Sequence, residues 1–393
     1  MPNYVHSAKV ISTILKHDSK VTTYKIGLLR AINDVVLAFP DLIVAGGDVA
    51  VPLRVLAECW VTYYWPFCDP NKPILQGPRT LHGGKLTNDM AFRAHLTQVQ
   101  VEWQSFMRGD SKPSDGFFLR NGMRVPRRRL TYPSKLVQAY DAAIRAIATT
   151  LGQPIRYAGP GEWSVFAKPQ RLRDLNDVIA VPGSAPADLC LVIAAPLWRT
   201  FQGLSLWIEA LSIHEWCLFT ERVASQGVGN PVQRGHVYTL LTDRPDNRRP
   251  LTWERNKVDL LLMEGTEFVC PWTQLRITAH TPYAIDHILP LSLYPINELW
   301  NLVPSEPNFN SHIKRDRLPS VERLRKAKPL LIAVYENYQL STYLAGPIRE
   351  DAGIRFSALK YTTEIDKGFA RDLAGSVIRL VNHVADARNI TRF

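Results

Sequence analysis

Apolar residues recur with the period of an α-helix along much of the chain. Ile26, Leu29 and Ile32 follow one another at intervals of three, which predicts a helix over residues 24–39 that ends before Pro40. The same periodicity predicts further helices over residues 52–64, 87–106, 134–151, 197–222, 232–241, 252–263, 320–328 and 363–387.

Short runs of β-branched and aromatic residues lie between some of these helices. Residues 163–166, 178–181 and 189–193 are bounded by Gly and Pro turns, which predicts three short strands. Residues 109–126 mix Gly, Pro, Ser and Asp and predict an exposed loop. The pattern as a whole predicts an α+β fold that is predominantly helical.

Length and charge narrow the class of protein. A chain of 393 residues exceeds one ordinary hydrophobic core, so we expect two or three domains. The apolar fraction of 46% and the charged fraction of 21% are typical of a folded globular protein. The net charge of +11 favours a polyanionic partner such as nucleic acid.

The cysteines and the hydropathy point to a cytoplasmic protein without a membrane partner. The five cysteines never form a C-x-x-C pair, which excludes a zinc knuckle and argues against a disulfide framework. The first residues lack the apolar core of a signal peptide, and no uncharged apolar run reaches membrane-spanning length.

The most specific chemistry lies between residues 286 and 319. This stretch combines an Asp-His pair, two spaced carboxamides and a basic segment: Asp286, His287, Asn301, Asn310, Lys314, Arg315 and Arg317. Carboxylate and carboxamide oxygens are ligands that Mg²⁺ prefers, and a neutral histidine can take a proton from water. The combination favours metal-assisted hydrolysis of a phosphodiester.

The local pattern also predicts how these residues meet. Residues 268–278 and 283–289 alternate enough to form two paired strands, with Asp286 and His287 on opposite faces of the second. A helix is expected after residue 307. Folded back across the strands, it would bring Asn310 to face Asp286 across a small cleft.

This stretch resembles the HNH nuclease superfamily, whose core is the ββα-metal motif. The resemblance rests on the segments DHILP (286–290), WNLVP (300–304) and KRDRLP (314–319), with Asn310 between the last two. It is similar to the Asp-His…Asn…Asn version found in the HNH domain of type II CRISPR effectors and in bacterial restriction and defence nucleases. The separations of 15 (286 to 301) and 9 (301 to 310) suit that version.

The resemblance implies a domain division and a role for each residue. Residues 251–330 would form the HNH nuclease domain, residues 1–250 a mainly helical region of unknown recognition or partner role, and residues 331–393 a helical C-terminal tail. The resemblance implies that His287 is the general base and that Asp286 and Asn310 are metal ligands. It implies a structural role for Asn301, and phosphate contacts for Lys314, Arg315 and Arg317. The implied cofactor is Mg²⁺ or Mn²⁺, and the implied substrate is DNA, with RNA the less favoured option.

One spacing departs from the family pattern. The family commonly places a lysine three positions after the helix asparagine, whereas Lys314 follows Asn310 by four. The extra residue leaves His312 open as an alternative metal ligand. Asn297 and Asn308 are interpreted as turn formers and left outside the metal shell.

A second basic cluster lies outside this stretch. Arg127, Arg128 and Arg129 form a run that could bind backbone phosphates or simply line a solvated loop edge, and the sequence favours neither.

Two functions remain open. The first is a metal-dependent DNA endonuclease, in bacterial restriction or anti-phage defence, with a possible partner protein or oligomer. The second is a nucleic-acid-binding or complex-assembly protein that keeps the HNH fold without cleaving.

Overall fold

The computed structural model describes residues 2–39, 42, 46–78, 80–82, 85–87, 89–226, 232–243, 251–291, 293, 297–356, 359, 368–388 and 390–393. The chain folds as two compact units, Met1–Asp243 and Arg244–Phe393. Each unit has a hydrophobic core of its own.

The first unit is predominantly helical. Its α-helices are α1 (Pro2–Lys16), α2 (Tyr24–Ala38), α3 (Leu53–Tyr64), α4 (Arg93–Met107), α5 (Asp115–Arg124), α6 (Pro126–Arg129), α7 (Ser134–Tyr157), α8 (Ala195–Gly203), α9 (Ser205–Gln226) and α10 (Arg234–Thr242). Its strands are β1 (Asp48–Pro52), β2 (Thr80–His82), β3 (Lys85–Thr87), β4 (Gln170–Arg171), β5 (Val178–Ala180) and β6 (Leu189–Ile193).

A four-stranded mixed sheet accompanies these helices, in the order β4-β6-β1-β5. Strand β1 runs parallel to β5 and antiparallel to β6, with Val49 opposite Ile179 and Ile193. Strands β2 and β3 form a separate antiparallel pair.

Helix α3 runs through the centre of the first core. Every residue of α3 except Arg54 is buried, because apolar and aromatic side chains occupy nearly the whole circumference of the helix. The Trp60 ring packs against Tyr24, Tyr64 and Phe92, with ring centroids 5.2–5.7 Å apart.

Three predictions for this unit were wrong. The expected loop 109–126 contains helix α5, whose glycines are close-packing positions instead of turn positions: a Cβ on Gly116 would meet Trp65 at 2.9 Å, and one on Gly122 would overlap Tyr132. Residues 163–166 form turns instead of a strand. The single helix predicted over 197–222 is divided into α8 and α9 at Leu204. By contrast, the predicted strand 189–193 is confirmed as β6.

The second unit surrounds two short strand pairs with helices. The α-helices are α11 (Thr252–Met263), α12 (Val321–Leu340), α13 (Ala345–Arg355) and α14 (Phe369–Arg388), and a π-helical segment spans Phe309–Lys314. The strands are β7 (Phe268–Val269), β8 (Arg276–Ile277), β9 (Ala284–His287) and β10 (Leu302–Ser305), with a 3₁₀ turn at Leu299–Asn301.

The strand pairing differs from the prediction. Strand β7 pairs with β8, and β9 pairs with β10, instead of residues 268–278 pairing with 283–289. The reason is an early turn: the Gln274 N–H donates to the Cys270 carbonyl at 2.9 Å, and Gln274 adopts a left-handed φ of 63°. The first hairpin therefore closes within 268–277, and β9 takes its partner from further along the chain.

Helices α12 and α14 belong to the core of this unit. Leu331 and Tyr335 of α12 and Leu373 and Val377 of α14 are fully buried in the same hydrophobic cluster as Leu302 of β10. Elements distant in sequence therefore support the strands that carry the candidate site.

Candidate functional site

Strand β9 presents Asp286 and His287 to opposite sides. Asp286 lies opposite Val303, and His287 opposite Leu302, across the pairing with β10. Because successive side chains of a strand point to opposite faces, the Asp286 carboxylate is directed into the unit, where 3% of the residue is exposed. His287 is half-buried.

Both oxygens of Asp286 accept hydrogen bonds. The Lys314 Nζ donates to Oδ1 at 2.9 Å, and the Trp272 indole Nε1 donates to Oδ2 at 2.8 Å. Lys314 itself is 1% exposed. The carboxylate is therefore paired inside the unit with an ammonium group that water barely reaches.

The π-helical segment explains why Lys314 points inward. The Arg315 N–H donates to the Asn310 carbonyl, five residues earlier, so this turn holds one residue more than an α-turn. The extra residue in the Asn310-to-Lys314 spacing is thereby accommodated. Lys314 then reaches Asp286 and also donates to the His287 carbonyl at 2.7 Å. This differs from the expectation of a lysine on the substrate phosphates.

The His287 imidazole contacts Asn297, which the sequence analysis interpreted as a turn former. Its Nε2 lies 2.8 Å from the Asn297 Oδ1. Burial lowers the pKa of the His287 imidazole below its ordinary value, and this outweighs the opposite effects of Asn297 and the Asp286 charge. Burial therefore favours the neutral form of the His287 imidazole.

Asn301 ties the end of β9 to the start of β10. Its side-chain oxygen accepts from the Leu289 N–H at 2.7 Å, and its amide donates to the Leu289 carbonyl at 2.9 Å. The Asn301 carbonyl accepts from the Ile288 N–H at 2.8 Å. These bonds fix the backbone immediately after His287.

The two candidates for the second metal ligand have different surroundings. Asn310 is half-buried. His312 is exposed, and its Nδ1 lies 2.8 Å from the Ser311 Oγ and 3.2 Å from the Asn308 carbonyl of its own helical turn.

The donor atoms suit a hard divalent cation. Asp286 and Asn310 offer a carboxylate and a carboxamide oxygen, the ligand types that Mg²⁺ takes together with water and substrate phosphate. Within the described ranges, no group of three or more His, Cys, Asp or Glu side chains could hold a metal ion. An ion at the Asp286 Oδ1 would have to share that oxygen with the Lys314 ammonium or replace it.

The remaining basic residues have different environments. Arg315 is exposed, and Arg317 is half-buried and donates to the Ile313 carbonyl. In the first unit, Arg129 is paired with Asp141, and Arg127 and Arg128 also have partners within the protein.

Asn297 and Trp272 are the contacts that sequence reasoning missed. Asn297 was interpreted as a turn former, and no role was predicted for Trp272. Their roles come from tertiary contacts across 10 and 14 positions of the chain, which no local pattern encodes.

Comparison with known families covers both units. The model of a family described as a domain of unknown function, DUF8808, matches residues 5–241, more than half of the chain. The chain belongs to the DUF8808 family. The DUF8808 match begins and ends within the first compact unit.

A second family model, described as HNH endonuclease, matches residues 270–320 of this DUF8808 protein. That segment contains Asp286, His287, Asn301 and Asn310, and the match supports nuclease activity at the level of the family. An HNH domain implies a nucleic-acid substrate, and HNH nucleases generally use divalent metal ions.

Neither the curated proteins nor the solved structures contain a match to this chain. In the described part of the chain, no helix has the length and apolar content that a membrane crossing requires.

Proposed function

We propose that this chain is a metal-dependent endonuclease that hydrolyses DNA phosphodiester bonds with His287 as general base. The observation that carries the proposal is a histidine held by Asn297, next to a carboxylate, at the end of a strand whose following backbone Asn301 fixes. The HNH endonuclease match over the same residues supports it.

His287 performs the proton transfer in this proposal. A general base must be deprotonated at working pH and held in one orientation. Burial supports the first requirement because it lowers the imidazole pKa, and the hydrogen bond to Asn297 supports the second. His287 would take a proton from the attacking water.

Asp286 and Asn310 would hold the metal, Mg²⁺ or Mn²⁺. Residues four apart on a helix share a face, so Asn310 lies on the side of Lys314, which contacts Asp286. His312, two positions from each, lies on the other side and is exposed. This arrangement favours Asn310 over His312. A bound divalent ion would supply positive charge at the scissile phosphate.

The DNA backbone would be bound by basic residues near the site. Arg315 and Arg317 follow the π-helical segment, and Arg325, Lys326 and Lys328 are exposed on α12. Such contacts give affinity without reading sequence. Phosphate binding by Arg127, Arg128 and Arg129 stays a prediction. The proposed setting, bacterial restriction or anti-phage defence in the cytoplasm, rests on the resemblance alone.

The second candidate function is a nucleic-acid-binding or assembly protein that does not cleave. The specific observation in its favour is the Lys314–Asp286 pair, which already neutralises the carboxylate that a metal would need.

Plasmid cleavage separates the two candidates. Supercoiled DNA is incubated with wild type, His287→Ala or Asp286→Ala, in Mg²⁺ or in EDTA. The endonuclease proposal expects nicked or linear product with wild type in Mg²⁺ alone, while DNA binding persists in His287→Ala. Because Asp286→Ala leaves the buried Lys314 ammonium unpaired, its loss of cleavage counts only where circular dichroism shows the folded protein. Equal inertness of wild type and His287→Ala, with intact DNA binding, would support the non-cleaving candidate.

A further inference from the structure

Asn297 is in contact with the imidazole of His287 from inside the unit. Its Oδ1 lies 2.8 Å from the His287 Nε2, and 9% of Asn297 is exposed. A carboxamide oxygen can only accept a hydrogen bond. With that oxygen facing Nε2, the contact is a hydrogen bond when Nε2 carries the hydrogen, and in a neutral imidazole the lone pair is then on Nδ1.

The turn that follows Asn297 is held by hydrogen bonds. The Leu299 N–H donates to the fully buried Asp351 of α13 at 2.8 Å, and the Asn301 N–H donates to the Glu298 carbonyl at 2.9 Å. The Tyr335 hydroxyl of α12 donates to the Trp300 carbonyl at 2.6 Å. Asn297 therefore lies two residues before a turn that two helices hold.

The backbone at His287 and at the next residue is also held by hydrogen bonds. The His287 carbonyl accepts from the Lys314 Nζ, and the next residue, Ile288, donates to the Asn301 carbonyl. With the backbone fixed on both sides, the Asn297 contact is what selects the ring orientation and the nitrogen that is protonated. Second contacts of this kind commonly decide the tautomer of functional histidines.

We propose that Asn297 is a positioning residue whose carboxamide oxygen holds His287 as the Nε2–H tautomer and leaves Nδ1 to accept the proton. The assignment of Nδ1 as the reacting atom rests on the proposed endonuclease function. The tautomer itself does not, because it follows from the hydrogen bond.

Nuclear magnetic resonance of the full chain tests the tautomer directly. Protein labelled with ¹⁵N-histidine is studied without metal, in EDTA, at pH 8, and the His287 signals are identified by their loss in His287→Gln. Wild type is expected to show the Nε2–H pattern in long-range ¹H–¹⁵N correlations. An Nδ1–H pattern in wild type overturns the proposal, whatever the variants do.

Three variants test whether Asn297 determines the His287 tautomer. Asn297→Leu removes the acceptor and is expected to give a mixture of tautomers, whereas Asn297→Asp keeps an acceptor and should retain the Nε2–H form. Asn308→Leu, at an exposed asparagine of the same unit, is the matched control and should leave His287 unchanged. If Asn297→Leu does not fold, Asn297→Ala replaces it. An unchanged His287 pattern in the acceptor-free variant refutes the role of Asn297.

Cleavage kinetics supply the second readout. We expect Asn297→Leu to lower kcat by about 10- to 100-fold with little change in KM, because ring orientation and not DNA affinity is lost. Asn297→Asp should recover most of this loss. If wild type has the expected tautomer but does not cleave DNA, the positioning role stands and the endonuclease proposal fails. Full kcat in Asn297→Leu contradicts the positioning role.

Discussion

Lys314 and Asp286 form an ion pair inside the second unit, with 1% and 3% of their side chains exposed. Removing one member of a buried pair leaves a charge without its partner, which costs about 3–5 kcal/mol. We therefore expect Lys314→Met to lower the free energy of unfolding by about that amount. Urea denaturation measures the change.

The control for this variant is Lys326→Met, because Lys326 pairs with Glu322 at an exposed position of α12. Its effect should stay within about 1 kcal/mol. The double variant Asp286→Leu/Lys314→Met should recover much of the loss, since it leaves no unpaired charge. A loss below about 1 kcal/mol in Lys314→Met would mean that the pair contributes little to stability.

The lowered pKa of His287 makes a prediction about pH. In metal-free protein, the titration of the His287 ring signal should have its midpoint below the ordinary value of about 6.5. At a pH between the lowered pKa of the folded protein and the ordinary pKa of the unfolded chain, the unfolded chain binds more protons. The free energy of unfolding therefore rises with pH across this window and levels off above it. Nuclear magnetic resonance titration and urea denaturation at several pH values measure both effects.

Two histidine variants serve as controls for the pH prediction. His287→Gln should remove this part of the pH dependence of stability, whereas His312→Gln, at an exposed position, should retain it. A His287 midpoint at or above 6.5 would contradict the prediction.

A buried carboxylate of helix α13 accepts a hydrogen bond from the turn before Asn301. Asp351, fully buried, accepts from the Leu299 N–H at the start of the turn that leads to Asn301. Asp351→Ala leaves that N–H without its acceptor, so we expect a loss of about 1–3 kcal/mol in stability together with reduced cleavage. Asp351→Asn keeps an oxygen acceptor and should lose less. Asp372→Ala, at an exposed position of α14, is the control, and an equal effect of the two alanine variants would argue against the role.

The secondary structure was predictable where a local pattern determines it. The 252–263 helix has the predicted bounds because its apolar positions repeat at helical spacing. The pairing of β9 with β10 was not predictable, because the turn at Gln274 that diverts it depends on a left-handed residue without a glycine signal. The π-helical segment left one trace in the sequence, the extra residue between Asn310 and Lys314.

The candidate site was predictable only where a local sequence pattern indicates its residues. Asp286, His287 and Asn301 carry the resemblance to the HNH superfamily, so the sequence proposes them as a set. The direction of Lys314 and the contact of Asn297 with His287 depend on how the π-helical segment and the 3₁₀ turn pack. The sequence therefore indicates which residues belong to the site, whereas their hydrogen-bond partners depend on tertiary packing.

The core of the second unit predicts which fragments fold. The matched HNH segment 270–320 packs against helices that begin after it, and Leu331, Tyr335 and Leu373 are fully buried in the shared cluster. We expect a fragment of residues 244–393 to fold cooperatively, because it contains the whole of this cluster. A fragment of residues 244–330 should not, since it exposes the apolar surface that the second half of α12, together with α13 and α14, covers.

Circular dichroism with thermal melting distinguishes the two fragments. The longer one should give a single sigmoidal transition and the shorter one a broad, non-cooperative change. The control is 244–393 with Leu373→Asp, which keeps the length but places a charge in the core and should lose the transition. A shorter fragment that melts as sharply and as high as the longer one would show that the residues before 331 form a domain by themselves.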